Sequence, residues 1–372
     1  MTIADREPVA DKWVSNGASA RWTIEGRPYL NFAGACYLAL HREPALRQAA
    51  MDLIASGAPF AQQLPPNYGI RDAIFETVER TAAEYLGTDT AVFFATGYLI
   101  GQIGLCAYAG PGDHLYLDAG AHYNLVQATQ LAGLPVTGFA HCDAQALQDA
   151  IAGTLRPGER PLIVTDGMFA TTGDLAPLDA YARLVAPLDG RIFVDDAHAF
   201  GVLGDNGRGT AEHFGVEDVA HAGVTLSKAF CAQGAAMGCS REAAERANRL
   251  PPKRGANAGS TISAAVSTAA LRYMSANPSR RTQLSDLARH ARQQLRQLGL
   301  QVSNSPSPVL SFKLGSRSDM RRVQHRLFER GIYLPISDYL GAGPEGLFRC
   351  AIFADHSIED IDRLASELGA AA

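Results

Sequence analysis

The chain has 372 residues, 47% of them apolar and 19% charged, and its formal net charge is −5. This composition supports a sizeable core and excludes an extended disordered protein. The mild acidity gives no electrostatic footprint for nucleic acid or a membrane surface. No apolar run approaches the roughly 20 residues of a membrane span, and the start MTIADREPVADKW is too polar for a secretory signal. A cytoplasmic location is expected. Six scattered cysteines (Cys36, Cys106, Cys142, Cys231, Cys239 and Cys350) form no C-x-x-C pair and read as reduced, buried thiols.

In chain order, RPYLNFAGACYLAL (Arg27–Leu40) reads as a strand and turn. Ile70–Gly87 carries helical apolar spacing at Ile74, Val78 and Tyr85 and ends on a glycine suited to a cap. The pattern then changes to short apolar runs with helical stretches between them: AVFFATGY, HLYLDAGAH, PLIVTDGMF, RIFVDDAHAF and GVTLSKAF. Each run closes on a polar, hydroxyl or glycine cluster. Such strands predict a mostly parallel sheet covered on both faces. In these sheets ligands bind outside the carboxyl ends of the strands, where the polar clusters fall.

Beyond about Ser263 the pattern becomes helical again. An amphipathic helix is expected over Ser285–Leu300, starting from a Ser285 cap. PVLSFKL, a helix over Asp319–Arg330, GIYLPIS, LFRCAIF and a last helix from Ser357 predict a smaller α/β domain. The expected division is an N-terminal segment 1–45 packed on the small domain, a large domain 46–265 and a small domain 266–372.

The strand ends collect Thr96-Gly97-Tyr98, Asp118 with His122, Asp166, Asp195-Asp196 with His198, and Thr225, Ser227 and Lys228. Thr96-Gly97-Tyr98 lies between a strand and a helix, where free N–H groups attract phosphate. Asp195 could hold a protonated ring nitrogen or serve as a loop or cap residue. His198 alone reads best as a structural histidine. A lysine at a closed strand end is desolvated, which lowers its pKa and lets it form a Schiff base with a carbonyl. A phosphate anchor, a carboxylate for a ring nitrogen and a lysine for an aldehyde are together what pyridoxal 5'-phosphate (PLP) requires.

DDAHAFGVLGDNGRG (Asp195–Gly209) followed by TLSKAF (Thr225–Phe230) resembles the α-oxoamine synthase family. The similarity runs from YLNFAGACYLAL to HSIEDIDRL. These are PLP-dependent C-acyltransferases of transferase fold type I. The resemblance implies a large domain with a mostly parallel sheet and a smaller C-terminal α/β domain. It implies condensation of an amino acid with an acyl thioester to an α-aminoketone, with decarboxylation. By position, Lys228 matches the Schiff-base lysine and proton shuttle. Asp195 matches the partner of the pyridine nitrogen, His198 that of the phenolic oxygen, and His122 the residue stacked on the ring. Thr96, Gly97, Tyr98 and Thr225 match phosphate contacts. Ser260-Thr261 matches a segment reaching the phosphate from the neighbouring subunit, which implies a homodimer with shared sites. Arg349 matches the clamp on the substrate carboxylate, a task suited to a guanidinium fork.

Several positions depart from the family pattern. Ala35 stands in place of Asn, Ala170 and Thr172 replace Ser and Asp, Cys231 replaces Gly, and Ala235 replaces the second Gly of a pair. The prolines after the Ser-Thr pair are missing, and GAPFAQQLPPNYG has no counterpart of the family's Gly-Ser-Arg stretch. These changes face the second substrate, so the acyl donor stays open between a CoA and a carrier-protein thioester. Lys253 and Arg254 could meet a donor phosphate, but a solvated loop is the simpler expectation. Transamination, simple decarboxylation or a catalytically silent cofactor-binding role remain alternatives.

Overall fold

A computed structural model of the chain describes residues 12–61, 72–255 and 258–371. The backbone divides into two compact units. The larger comprises Leu40–Phe169 and Leu175–Pro278; the smaller comprises the chain up to Ala39, Ala170–Asp174 and Ser279–Ala372.

Strands β1 (Val14–Ala18), β2 (Arg21–Ile24) and β3 (Arg27–Asn31) come first. Then follow β4 (Thr90–Phe94), β5 (Asp113–Asp118), β6 (Val136–Phe139), β7 (Arg160–Asp166), β8 (Arg191–Asp195), β9 (Ala220–Thr225) and β10 (Ala235–Cys239). Last come β11 (Val309–Phe312), β12 (Ile332–Tyr333), β13 (Ile336–Ser337) and β14 (Leu347–Ala351).

In the larger unit the sheet order is β4-β10-β9-β8-β7-β5-β6. β6, β5, β7, β8 and β9 are mutually parallel, and β10 runs antiparallel to both β9 and β4. The apolar runs become strands because both sheet faces are covered. Leu162, Val164 and Phe193 enter one core cluster, whereas Ile163, Ile192 and Val194 enter the cluster on the opposite face. Successive side chains of a strand point to opposite sides, so a run buried on both must be apolar throughout.

The helix expected to end at Gly87 spans Ala73–Leu86, and Gly87 takes the left-handed cap conformation at φ 70°. The beginning of that expected run, Ile70 and Arg71, lies outside the described residues.

In the smaller unit β3 pairs in parallel with β12, and a second sheet has the order β11-β14-β13. The long helix here runs Ser279–Gln297, beginning at Ser279 and not at Ser285. Ser285 is exposed, and the buried stripe Leu284, Leu287, Ala288, Ala291 and Leu295 continues past it, so it does not cap the helix. The next helix spans Arg317–Glu329 and starts from a capping box between Ser316 and Asp319. The last spans Ile358–Ala371. No described helix is long and apolar enough to cross a membrane.

Candidate active site

Strand register brings the polar clusters to one edge of the large sheet. Asp166 on β7 pairs with Asp195 on β8, which pairs with Gly223 on β9. Thr225 at the end of β9 and Phe94 at the end of β4 both pair with Ala235 on β10.

Thr96-Gly97-Tyr98 follows β4 and opens an irregular helical run: a tight turn over Gly97–Leu99, then a wider winding over Ile100–Leu105. Thr96 is extended, and its Oγ1 accepts the Tyr98 N–H at 3.4 Å. A Cβ at Gly97 would lie 3.0 Å from Thr225 Oγ1, tighter than most real contacts, so glycine keeps this cradle open. Thr225 is buried and donates its hydroxyl proton to the Gly234 carbonyl at 3.1 Å. The accessible hydroxyl beside it is Ser227 Oγ, 2.9 Å from Thr225 Oγ1.

Asp195 is 4% exposed. Its Oδ1 accepts the Ala197 N–H at 3.0 Å, and its Oδ2 accepts from Asn124 Nδ2 at 2.8 Å. A carboxylate has about four acceptor positions, so capacity remains for a further N–H donor. Asn124 is the functional residue that sequence reasoning missed. Because its amide nitrogen donates to Asp195, its Oδ1 must be the atom facing His122 Nδ1, at 2.9 Å. His122 Nδ1 also accepts the Asn124 backbone N–H at 3.2 Å as the cap of the helix Tyr123–Ala132, so Asn124 contacts both the carboxylate and the imidazole.

Asp166, also buried, accepts the His122 backbone N–H at 2.8 Å. Burial pushes its pKa well up, with Asp195 adding to the rise, while the His122 N–H and the Lys228 ammonium act the other way. His198 is buried in the turn that follows β8. Lys228 is half-buried in the turn between β9 and β10, which is closed by Leu226 N–H to Gly234 O and Ala232 N–H to Leu226 O.

Ser260 caps the helix Thr261–Ala276 by accepting the Ile262 N–H at 3.2 Å. Thr261 is buried and donates its hydroxyl to the Pro59 carbonyl. Lys253 contradicts the expectation of a solvated loop. It is 6% exposed, donates to the Phe93 carbonyl and lies 3.7 Å from Glu79. Its ammonium is a structural cation inside the larger unit. Arg254 is exposed.

Arg349 belongs to the smaller unit, on β14. Its Nε donates to Ala170 O at 2.6 Å, Nη1 to Gly34 O at 2.9 Å and Nη2 to Tyr37 Oη at 3.2 Å. A guanidinium has five N–H donors; these three bonds leave one on each terminal nitrogen, the arrangement that grips a carboxylate with two bonds. The contact with Ala170 is through its backbone, so the missing serine hydroxyl costs this clamp nothing. Burial raises the pKa of Tyr37, with Arg349 pulling it down.

The open cradle at Gly97, the spare acceptor capacity on Asp195 and the strand-end amine of Lys228 fit a phosphorylated pyridine aldehyde. They define a PLP enzyme on an α/β sheet.

The model of the aminotransferase class I and II family matches residues 33–368. The chain is 33% identical to the 8-amino-7-oxononanoate synthase of Methylococcus capsulatus, over 95% of this chain and 92% of that one. It is 31% identical to the enzyme of the same name from Trichlorobacter lovleyi, over 93% and 89%. Among solved structures, Sphingomonas wittichii serine palmitoyltransferase superposes with a TM-score of 0.90 at 24% identity, covering 98% of this chain and 92% of that one. The chain belongs to the class I and II aminotransferase family and, within it, to the α-oxoamine synthases, PLP-dependent enzymes that join an amino acid to an acyl thioester.

Proposed function

We propose that this chain binds PLP at the carboxyl ends of β4, β7, β8 and β9 and there condenses a small amino acid with an acyl thioester. The product is an α-aminoketone, with the amino-acid carboxylate lost as CO₂. The observation that carries this reading is Asp195: a buried carboxylate, fixed by Asn124 and Ala197, with acceptor capacity left over beside the strand that leads to Lys228.

When bound, PLP supplies an electron sink for negative charge at the substrate Cα. Asp195 would accept the ring N–H and hold that proton in place. Lys228 would hold the cofactor through its amine and would move the proton of the substrate Cα. His198 would hold the phenolic oxygen, and His122, which contacts Asn124, would hold the ring face. Thr96, Gly97, Tyr98 and Thr225 would cradle the phosphate, with the exposed Ser227 hydroxyl beside Thr225. Arg349 holds the amino-acid carboxylate through its two uncommitted N–H groups.

We further propose a homodimer in which Ser260-Thr261 completes the neighbouring phosphate site. Ser260 is the contact in that pair, since Thr261 spends its hydroxyl on Pro59. The six scattered cysteines suit a reducing compartment, and a cytoplasmic location fits them. The donor-facing stretch GAPFAQQLPPNYG falls outside the described residues from position 62 to its end, and the proposal extends to either a CoA or a carrier-protein thioester.

The test is to load purified protein with PLP, record its visible spectrum with each common amino acid, and follow thiol release from a panel of acyl-CoA and acyl-carrier thioesters. A spectral change with one amino acid, followed by thiol release, supports the reading. Turnover of a keto acid with no thioester requirement would assign transamination instead. Lys228→Ala should remove the visible band of the lysine-bound cofactor; a band that survives unchanged overturns the site.

A further inference from the structure

At the opposite flank of β5 from β8, a second constellation stands apart from the cofactor residues. Asp118, His141 and Cys142 place a carboxylate oxygen, a ring nitrogen and a thiol sulfur within 4.8 Å of one another. Sequence reading passed over the pair His141-Cys142, because neighbouring residues fit no metal-ligand spacing.

The geometry is directional. Asp118 is fully buried, and its Oδ1 lies 2.8 Å from His141 Nδ1. Oδ1 also accepts the Gly120 N–H at 2.7 Å, and Oδ2 accepts the Cys142 N–H at 3.1 Å. With three of about four acceptor positions used, Asp118 is committed to holding the loop and the ring and has little left for an ion. Its demand for a donor sets the neutral imidazole to the Nδ1–H tautomer. The other nitrogen, Nε2, then carries no proton and can accept one, and Cys142 Sγ stands 3.7 Å from it. Sγ also lies 3.7 Å from the Leu175 carbonyl, its alternative acceptor.

The local backbone is shaped for this contact. A Cβ at Gly120 would fall 2.4 Å from His141 Nδ1, so only glycine lets the imidazole reach Asp118. Phe169 packs at right angles to the imidazole, with ring centroids 4.3 Å apart. Cys142 itself sits at φ 54°, a conformation disfavoured for a side chain with a Cβ. It is half-buried, while the His141 side chain is 37% exposed, so a small molecule can approach both. Cys142 also precedes the Asp143 cap of the 11-residue helix Ala144–Thr154. The positive end of that helix favours a thiolate; the Asp143 carboxylate, the Asp118 carboxylate and the Tyr181 phenol are ionisable groups among the described residues near it.

We propose that Cys142 is a reactive thiol, activated by His141 and oriented through Asp118, that exchanges with small disulfides. His141 Nε2 takes the thiol proton. The thiolate attacks one sulfur of R–S–S–R; a new S–S bond forms to Cys142 as the old one breaks. The departing RS⁻ takes the proton from the imidazolium and leaves as R–SH. Cys142 is oxidised to a mixed disulfide and half of the small disulfide is reduced. Three other cysteines lack this setting. Burial raises the pKa of Cys106 and Cys350, and pushes Cys239 up to about 12.

The test uses the PLP-loaded enzyme and oxidised glutathione as probe, with each cysteine-containing peptide followed by mass spectrometry. Cys142 should be modified at least about tenfold faster than Cys36, Cys106 and Cys231, as a shift of one pKa unit in thiolate population would give. His141→Gln should slow Cys142 by about the same factor without moving the melting temperature or the cofactor absorbance. Cys142→Ser should remove the fast phase. Modification of Cys142 at the rate of the other thiols overturns the proposal. So does an unchanged rate in a folded His141→Gln protein. The ranking of cysteines in the unsubstituted enzyme decides the matter even if a variant fails to fold.

Discussion

Asn124 donates from Nδ2 to Asp195 Oδ2 at 2.8 Å, tying the first turn of the helix Tyr123–Ala132 to the end of β8. The other side of the same amide faces His122 at 2.9 Å. Two groups assigned to the cofactor ring, one beside its nitrogen and one against its face, thus share a single buried support.

Replacing Asn124 by Ala removes that support while leaving both assigned groups in place. A hydrogen bond to a charged group contributes about 1.5–3 kcal/mol, so PLP affinity should fall by roughly ten- to a hundredfold. Titration of the apoprotein with PLP, read by absorbance, measures this. An Asn124→Ala protein that folds normally and binds PLP as tightly as the parent would show that Asp195 needs no such brace.

Arg349 offers a second test, aimed at substrate rather than cofactor. Its three bonds to Ala170, Gly34 and Tyr37 hold the guanidinium plane and leave one N–H on each terminal nitrogen. A lysine ammonium has three donors and no fork, so it cannot reproduce both the anchoring and the two-point grip. Arg349→Lys should raise the KM for the amino acid by about ten- to a hundredfold, the equivalent of one charge-assisted bond, with PLP binding unchanged. An unchanged KM would remove Arg349 from the substrate site.

The parallel strands were legible because burial on both faces forces continuous apolar runs, and these end where the sheet ends. Strand β10 was not legible. Its sequence, AAMGC, has little of the β-branched and aromatic character that marks a strand; its position is imposed by pairing with β4 and β9. Asn124 was hidden for a different reason. An asparagine in the first turn of a helix is ordinary locally, and its role depends on a partner brought close only by the fold. Lys253 misled because a basic pair between two prolines and a glycine reads as a surface loop, whereas Glu79 and the Phe93 carbonyl receive Lys253 inside. Cys231 shows how a departure from the family pattern can be conservative in shape. It stands where the resembling enzymes have glycine and adopts φ 53°, the left-handed region that glycine occupies freely. The turn after Lys228 thus carries a left-handed side-chain residue at a strain of about 1–2 kcal/mol.

A final prediction concerns the carboxylate next to Asp195. Asp196 is fully buried and accepts from Thr210 twice, from the backbone N–H at 2.6 Å and the hydroxyl at 2.7 Å. Desolvation raises its pKa from 3.8 to about 7, with the two Thr210 bonds opposing and Asp195 adding to the rise. The folded state therefore holds this proton more tightly than the unfolded chain does. Stability from this group is fully present below pH 3.8, declines as the pH rises, and is lost once the pH passes about 7. At about 1.4 kcal/mol per unit, the whole window is worth on the order of 4 kcal/mol. An Asp196→Asn protein has no such proton to lose. Measured by urea denaturation at a series of pH values from 5 to 8, its stability relative to the parent should therefore improve steadily towards the alkaline end. Parallel pH profiles for the two proteins would mean that Asp196 stays ionised in the fold, with Thr210 compensating its burial.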